Sequence, residues 1–308
     1  MKILIELPSW LGDAIMTTPA IENIVNQFSD VQITLIGSLI SIEALKNHPS
    51  VVSSHILDKN FIFLYKTLKT LEEFDIFFSF RNSIRAKFIK FFISSNNKYQ
   101  FDKTKYNKTH QVEQYNNFVN DCLQINSVAS RLSLYSEKKN KDKNNKLLGI
   151  NPGASYGSAK RWYPKEFANV AMALSTEYDI IIFGGPEEID IAKDIENYLI
   201  DNGIHNYRNL AAKTNIDELI IQIANLDLFI TGDSGPMHLA AASQVPTVAI
   251  FGPTKYQETS QWMNKKSVIV KKNLECQPCM RRVCPLKHHN CMKLIEASEV
   301  LEAVRGLN

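Results

Sequence analysis

Residues 226–242, LDLFITGDSGPMHLAAA, constrain the fold more than any other stretch, because an apolar strand there runs through a tight polar turn straight into a helix. Leu228, Phe229 and Ile230 supply the strand core. Ser234 stands where a helix N-cap is expected, Pro236 sits at an early helical position with no N–H to lose, and the alanines that follow favour helix. A junction of this kind points unsatisfied backbone N–H groups at an anion. Gly235, Met237 and the Ser234 hydroxyl are then the candidate donors to a phosphate. Asp233, just ahead of the cap, would repel a phosphate, so its presence points to a ligand with hydroxyl groups beside the phosphate, as in a sugar nucleotide.

The same strand-then-helix order recurs along the chain. Residues 2–7, 31–36 and 74–80 read as strands in the first half, and residues 147–150, 180–183, 226–230 and 247–251 in the second, separated by stretches of helical spacing such as 165–177. One such stretch carries Ile15, Ala20, Ile21 and Ile24. Alternation of this kind predicts parallel sheets with helices on both faces, which bind ligands at the polar turns beyond the strand ends. Between Glu137 and Lys146 the sequence EKKNKDKNNK has no apolar residue and reads as a solvated connection. The expected division is therefore 1–145 and 146–308, with the C-terminal helix a candidate to pack back on the first domain. Residues 96–108, polar and lysine-rich, are expected to be a long surface loop.

With 44% hydrophobic residues in 308, the chain can bury two cores of ordinary size and reads as soluble and globular. The 35 basic and 32 acidic side chains are too balanced for a nucleic-acid binder. The start, MKILIELPSW, lacks a signal h-region, and no apolar run reaches the roughly 18 residues of a membrane-spanning helix. The expected location is cytoplasmic, with peripheral membrane contact left open.

Four turns carry candidate chemistry. The first, PSWLGDAIMTTPAI, places Asp13 at a helix entrance, where the helix dipole favours an ionised carboxylate; it is the candidate general base, and helix capping is the alternative. The second, NPGASYGSAKRWYPKEF, combines small residues and Gly157 with the hydroxyls of Ser155 and Ser158 and the cation of Lys160, a set suited to a diphosphate although it matches neither the P-loop nor the GxGxxG fingerprint. Trp162 reads as core. The third, FGGPEEID, offers Glu187 or Glu188 to ribose hydroxyls or to a helix N-terminus. The fourth, FGPT, ends at Thr254 and is placed to close the pocket.

Near the C-terminus CQPCMRRVCPLKHHNC gathers Cys276, Cys279, Cys284 and Cys291 with His288 and His289. The first pair has zinc-ligand spacing and the others follow no common pattern, so reduced thiols in a local fold are expected and a bound metal stays open. The chain contains no Asp-x-Asp, so a metal-dependent nucleotide-sugar site of that type lacks its ligands. No metal and no cofactor are expected in the chemistry.

Taken together, PSWLGDAIMTTPA, NPGASYGSAKRWYP, GDSGPMHLAAA and FGPT resemble glycosyltransferase family 9, the lipopolysaccharide heptosyltransferases, over nearly the whole chain. The second turn, with Tyr163 between Trp162 and Pro164, and the segment CQPCMRRVCPL are similar to the heptosyltransferase II branch of that family. The resemblance implies a GT-B architecture, α/β, with two Rossmann-like doubly wound domains facing a cleft. It also implies that ADP-heptose is held by the C-terminal domain, that a lipid A-linked inner-core oligosaccharide is held by the N-terminal domain, and that transfer inverts the anomeric carbon by direct displacement. On the family pattern the base falls on Asp13, the phosphate-contacting lysine on Lys160, the ribose-binding glutamate on Glu188, and the phosphate and sugar turn on Asp233, Ser234 and Gly235, with His238 a helical turn further on. Arg81, Asn82, Ser83 and Arg85, after the strand FDIFFSF, are candidates to grip the anionic acceptor or form a solvated basic helix start. Two alternatives remain: a family 9 enzyme using another sugar or core position, and a nucleotide-binding protein without turnover. The pairing of a base with a phosphate-binding lysine speaks against the second, because binding alone needs no base.

Overall fold

The computed structural model describes residues 1–106, 109–136 and 145–307. The chain forms two compact units, Met1–Ser136 and Glu137–Asn308. The division falls at the start of the charged stretch, of which residues 137–144 lie outside the described ones.

The first unit holds β1 (Lys2–Glu6), β2 (Gln32–Gly37), β3 (Val51–Ile56), β4 (Phe74–Ser79) and β5 (Ser95–Gln100) in one parallel sheet of order β3-β2-β1-β4-β5. Its helices are α1 (Leu11–Met16), α2 (Thr18–Gln27), α3 (Leu39–Leu45), α4 (Phe61–Thr70), α5 (Ile84–Phe92) and α6 (Gln111–Leu123). β1 is apolar without alternation, as a strand covered on both faces must be, and Ile3, Leu4 and Ile5 are fully buried. Two expectations fail in this unit. The first helical stretch is two helices, because Pro19 at the start of α2 has no N–H for the preceding turn, and Thr17 and Thr18 turn their hydroxyls back onto the carbonyls of Ala14 and Ile15 at 2.6 and 2.8 Å. The expected loop over 96–108 begins as β5, a polar strand registered against β4 from Phe74↔Ser95 to Ser79↔Gln100; Asn107 and Lys108 lie outside the described residues.

The second unit holds β6 (Lys146–Asn151), β7 (Tyr178–Ile182), β8 (Tyr207–Asn209), β9 (Leu228–Gly232), β10 (Thr247–Phe251) and β11 (Ser267–Lys271) in a parallel sheet of order β11-β10-β9-β6-β7-β8. Around it lie α7 (Pro164–Leu174), α8 (Ile189–Asp201), α9 (Ile216–Ala224), α10 (Gly235–Ala242), α11 (Tyr256–Thr259), α12 (Asn290–Lys293) and α13 (Ala297–Arg305). Trp162 is in the core as expected, its ring edge-on to Phe167 at 4.8 Å and its indole N–H on the Ile295 carbonyl at 2.9 Å. The C-terminal helix buries its apolar face within its own unit. Val300 and Val304 of α13 join the core around β6, β7, β9 and β10, and the helix packs on α7 and β11.

Both sheets reverse strand order next to their first strand, between β1 and β4 and between β6 and β9. Chains leaving the carboxyl ends on either side of such a point diverge to opposite faces and leave a crevice, the usual ligand position in open α/β sheets. The turns carrying Asp13, Arg81, Lys160 and Asp233 leave these four strand ends, and those carrying Glu188 and Thr254 leave the ends of β7 and β10.

Candidate functional site

In the second unit the two switch-point strands end in Asn151 and Gly232, and the turns beyond them meet side by side. Lys160, in a 3-10 turn (Ser158–Lys160), places its Nζ 2.6 Å from Asp233 Oδ2 and 3.3 Å from the Asp233 carbonyl. Thr254, after β10, donates its hydroxyl to the same Oδ2 at 2.6 Å. Lysine, aspartate and threonine from three separate turns thus form one nearly buried cluster beside the start of α10. The sequence pattern directs Asp233 to ligand hydroxyls and Lys160 to phosphates; in the structure their first partners are each other.

Ser234 is the N-cap residue of α10, but its side chain makes no capping bond and instead accepts from Asn151 Nδ2 at 3.0 Å. Met237 departs from expectation. Its N–H donates to the Ser234 carbonyl at 3.1 Å in a tight first turn, so it is not a spare phosphate donor, and its side chain packs with Ala249 and Phe251. Gly235 occupies the first helical position, where N–H groups lack intrahelical acceptors. His238 is buried one turn in.

Ser155 and Ser158 are exposed along the second turn. Gly157 carries a φ of 153° there, and a Cβ on it would meet the Arg282 carbonyl oxygen at 2.4 Å, so the turn depends on this glycine. Of the two glutamates in the third turn, Glu187 is exposed and Glu188 buried. Glu188 accepts from the Gly185 N–H at 2.5 Å, and its carboxylate lies where a Cβ on Gly153 would be, which locks the second and third turns together.

The cysteine segment packs onto the lysine turn. The Ala159 N–H donates to the Arg282 carbonyl at 3.0 Å, Tyr156 donates its hydroxyl to the Met280 carbonyl at 2.8 Å, and His289 Nε2 lies 2.9 Å from the Ala159 carbonyl. The Tyr156 ring stands 4.8 Å from Lys160 Nζ and 5.5 Å from the Arg282 guanidinium, in the range of cation–π attraction. All five cysteines are thiols, and Cys276, Cys279, Cys284 and Cys291 line one small cavity. Burial first, then the neighbouring cysteines, push the Cys291 thiol up to about 11. Among the described residues no three histidine, cysteine or acidic side chains stand where they could hold a metal ion.

In the first unit Asp13 is half-buried at the third position of α1; the N-cap is Trp10, so Asp13 does not occupy the cap. Tyr115 of α6 lies close, packed on Phe80 and Phe101 at 5.3 and 5.0 Å between ring centres. Burial, and then the Asp13 charge, push the Tyr115 phenol well above its ordinary value.

The four acceptor candidates do not act alike. Ser83 caps α5, accepting from the Ala86 N–H at 3.1 Å, so its hydroxyl has a structural task. Arg85 donates to the Lys59 carbonyl at 3.0 Å and to the Asp58 carbonyl, tying α5 to the loop ahead of α4. Asn82 is exposed, with Nδ2 at 3.5 Å from Asp102 Oδ1. Arg81 reaches to 3.6 Å from Glu6 Oε1 at the end of β1. Glu6 is fully buried and accepts from the Ser79 hydroxyl at 2.6 Å, and burial raises its carboxyl above the ordinary 4.5. Glu6, Asn151, Tyr156 and Arg282 are not among the site residues expected from the sequence. A glutamate closing the run KILIE was a signal; the role of Arg282 had none, because it depends on a fold of the segment 122 residues beyond Lys160.

A family model described as glycosyltransferase family 9 (heptosyltransferase) matches residues 64–290. Lipooligosaccharide heptosyltransferase 2 of Campylobacter jejuni is 42% identical over 100% of this chain and 98% of its own length. Among solved structures, ADP-heptose LPS heptosyltransferase II of E. coli superposes with a TM-score of 0.82 at 22% identity, over 100% of this chain and 98% of that one. A family 9 glycosyltransferase of Veillonella parvula gives 0.83 at 19% identity, over 99% and 96%. Both have the same α/β architecture of two Rossmann-like domains.

Proposed function

The chain belongs to glycosyltransferase family 9, and from that premise we propose that it is an inverting transferase that moves heptose from ADP-L-glycero-D-manno-heptose to the first heptose of a lipooligosaccharide or lipopolysaccharide inner core. The observation that carries this reading is the extent of the likeness to lipooligosaccharide heptosyltransferase 2, which runs through both units at 42% identity. The acceptor is lipid-linked, so the enzyme works at the cytoplasmic face of the inner membrane as a peripheral protein.

The chemistry needs two things. A sugar hydroxyl, with a pKa far above 7, needs a base as it attacks the anomeric carbon, and the departing diphosphate needs positive charge where its own charge grows. We assign the first task to Asp13. As the new glycosidic bond forms on one face of the sugar, the acceptor proton passes to the Asp13 carboxylate, and the bond to the diphosphate oxygen breaks on the opposite face, inverting the centre. The second task falls to Lys160, with the Ser234–Gly235 start of α10. An ammonium has three donors, and two of them on Lys160 are directed at Asp233, which leaves the third for a phosphate oxygen. Asp233 and Thr254 then hold Lys160 in place, Arg282 brings a second cation beside the same tyrosine ring, and Ser155, Ser158 and Glu188 line the donor side. On the acceptor side Arg81 and Asn82 are the groups we assign to the anionic core.

The test is incubation with ADP-heptose and a truncated acceptor carrying one heptose, following ADP release and the acceptor mass. A gain of one heptose with stoichiometric ADP is expected. ADP binding without release under all acceptors tried would make the protein a nucleotide binder, and transfer only from another nucleotide sugar would change the donor.

A further inference from the structure

The outer faces of α4 and α5 present an apolar and basic surface that the site does not use. On α4 only Leu64 and Leu68 are buried, and on α5 only Ala86 and Ile89, so most of both helices faces outward. That outward face is not polar: Phe61, Ile62, Phe63, Tyr65, Ile84 and Phe91 are 40 to 83% exposed. An ordinary surface helix carries charged and polar residues there, and a contiguous apolar face marks an interaction site.

Three further observations define what fits it. The helices pack side by side through an aromatic ladder, Phe61 on Phe88 at 5.1 Å and Tyr65 on Phe92 at 5.0 Å, so the exposed rings belong to one surface. The charge is of one sign: FIFLYKTLKT and IRAKFIKFF contain five basic residues and no acidic one. Lys66, Lys69 and Lys87 are exposed beside the rings, with Lys66 Nζ 5.8 Å from the Phe63 ring and Lys69 Nζ 5.7 Å from the Tyr65 ring. Finally, α5 begins at the turn carrying Arg81, so the surface adjoins the side assigned to the acceptor. No helix among the described residues is long and apolar enough to cross a membrane, which leaves lying on the surface as the mode of contact.

We propose that α4 and α5 form a docking face for an anionic phospholipid bilayer, with the exposed aromatic and aliphatic side chains entering the headgroup boundary and the lysines pairing with lipid phosphates. The proposal rests on the reading of a lipid-linked acceptor, because a face next to the acceptor turn would present the enzyme to a substrate held in the same membrane. Arg85 holds α5 to the loop preceding α4, so the two helices meet the lipid as one preset surface.

Flotation of the full chain with vesicles tests this. Wild type is expected to float with equimolar phosphatidylcholine and phosphatidylglycerol, to float much less with phosphatidylcholine alone, and to be released by high salt. The double variant Phe63→Ser/Phe91→Ser, and separately Lys66→Glu/Lys69→Glu, should lower binding by on the order of tenfold or more while thermal midpoints and transfer to a water-soluble acceptor stay at wild-type levels. Wild type that remains in the bottom fraction with both vesicle types overturns the proposal, as do variants that float as well as wild type. A wild-type dimer that both variants convert to monomer also overturns it, by giving the face to a second copy. Failure to turn over the soluble acceptor would instead break the enzymatic reading, so the two results are separable.

Discussion

At the switch point of the second sheet, the buried carboxylate of Asp233 is engaged on two sides, by Lys160 and by Thr254, each at 2.6 Å. At the matching point of the first sheet, Glu6 is buried more completely, yet Arg81 stands off at 3.6 Å and no hydrogen bond among the described residues reaches Oε1. Burial disfavours a charge in both places and a hydroxyl donates at 2.6 Å in each, so what differs is how closely the cation approaches. Where contact is close, the carboxylate becomes a fixed strut for the lysine. Where contact is loose, desolvation wins and the carboxyl shifts up. The switch-point turn of the second unit is thus fixed by close contacts, and that of the first unit holds its arginine on a slack tether.

The largest effect expected lies outside both carboxylates, at Asp13. Asp13→Asn keeps size and hydrogen-bonding capacity but removes the base, so turnover should fall on the order of 10²-fold or more while ADP affinity by calorimetry is unchanged. Near wild-type turnover would strip Asp13 of the proposed base role.

Lys160→Ala attacks the fixed turn directly. It leaves Asp233 buried with its cation gone, which should cost about 3 kcal/mol of stability, and it should weaken ADP binding and slow transfer together. Arginine at 160 should rescue only part of the loss. The double variant Lys160→Met/Asp233→Asn separates the two roles: it should recover most of the thermal midpoint and none of the transfer. Recovery of transfer as well would mean that the pair serves folding alone.

Gly157→Ala asks how far this rigidity depends on the cysteine segment. The added Cβ meets the Arg282 carbonyl, a backbone atom that cannot swing away, at an unfavourable φ. A loss of roughly 1–3 kcal/mol is expected in chemical denaturation, with weaker ADP binding. A neutral result would show that Arg282 and its loop give way easily, and the contrast between the two sides would shrink.

The smallest effect tests the slack tether. The raised Glu6 carboxyl means that the native state keeps a proton the unfolded chain has already released, so this group favours folding fully at acid pH and loses that contribution as pH rises from about its ordinary 4.5 through the raised value. Glu6→Gln should remove this downward slope from a plot of thermal midpoint against pH. Parallel slopes for the two proteins would mean that Arg81 and Ser79 offset the burial of Glu6.

Legibility followed burial. The strands read from sequence became β1, β2, β4, β6, β7, β9 and β10, all interior, whose residues must be apolar on both faces and so stand out in the chain. The four that were missed, β3, β5, β8 and β11, are the outer strands of the two sheets. An edge strand is covered on fewer sides and tolerates polar residues, as SNNKYQ in β5 does, and its composition then matches a loop.

The amino-acid order by itself therefore determined the alternation of strand and helix, the division into two α/β halves, the four polar turns and their family likeness, because each rests on residues close together in the chain. Which side chains meet was left to the tertiary structure. Lys160 and Asp233 are 73 positions apart and become partners because β6 and β9 are neighbours in the sheet; Glu6 and Arg81 become partners because β1 and β4 are. The same holds for Ser83, Met237 and α13, each of which had an assignable local role whose partner was fixed only when the chain folded. Pair interactions decay within a few ångströms, so a charge or a donor has no fixed worth until folding sets its neighbours.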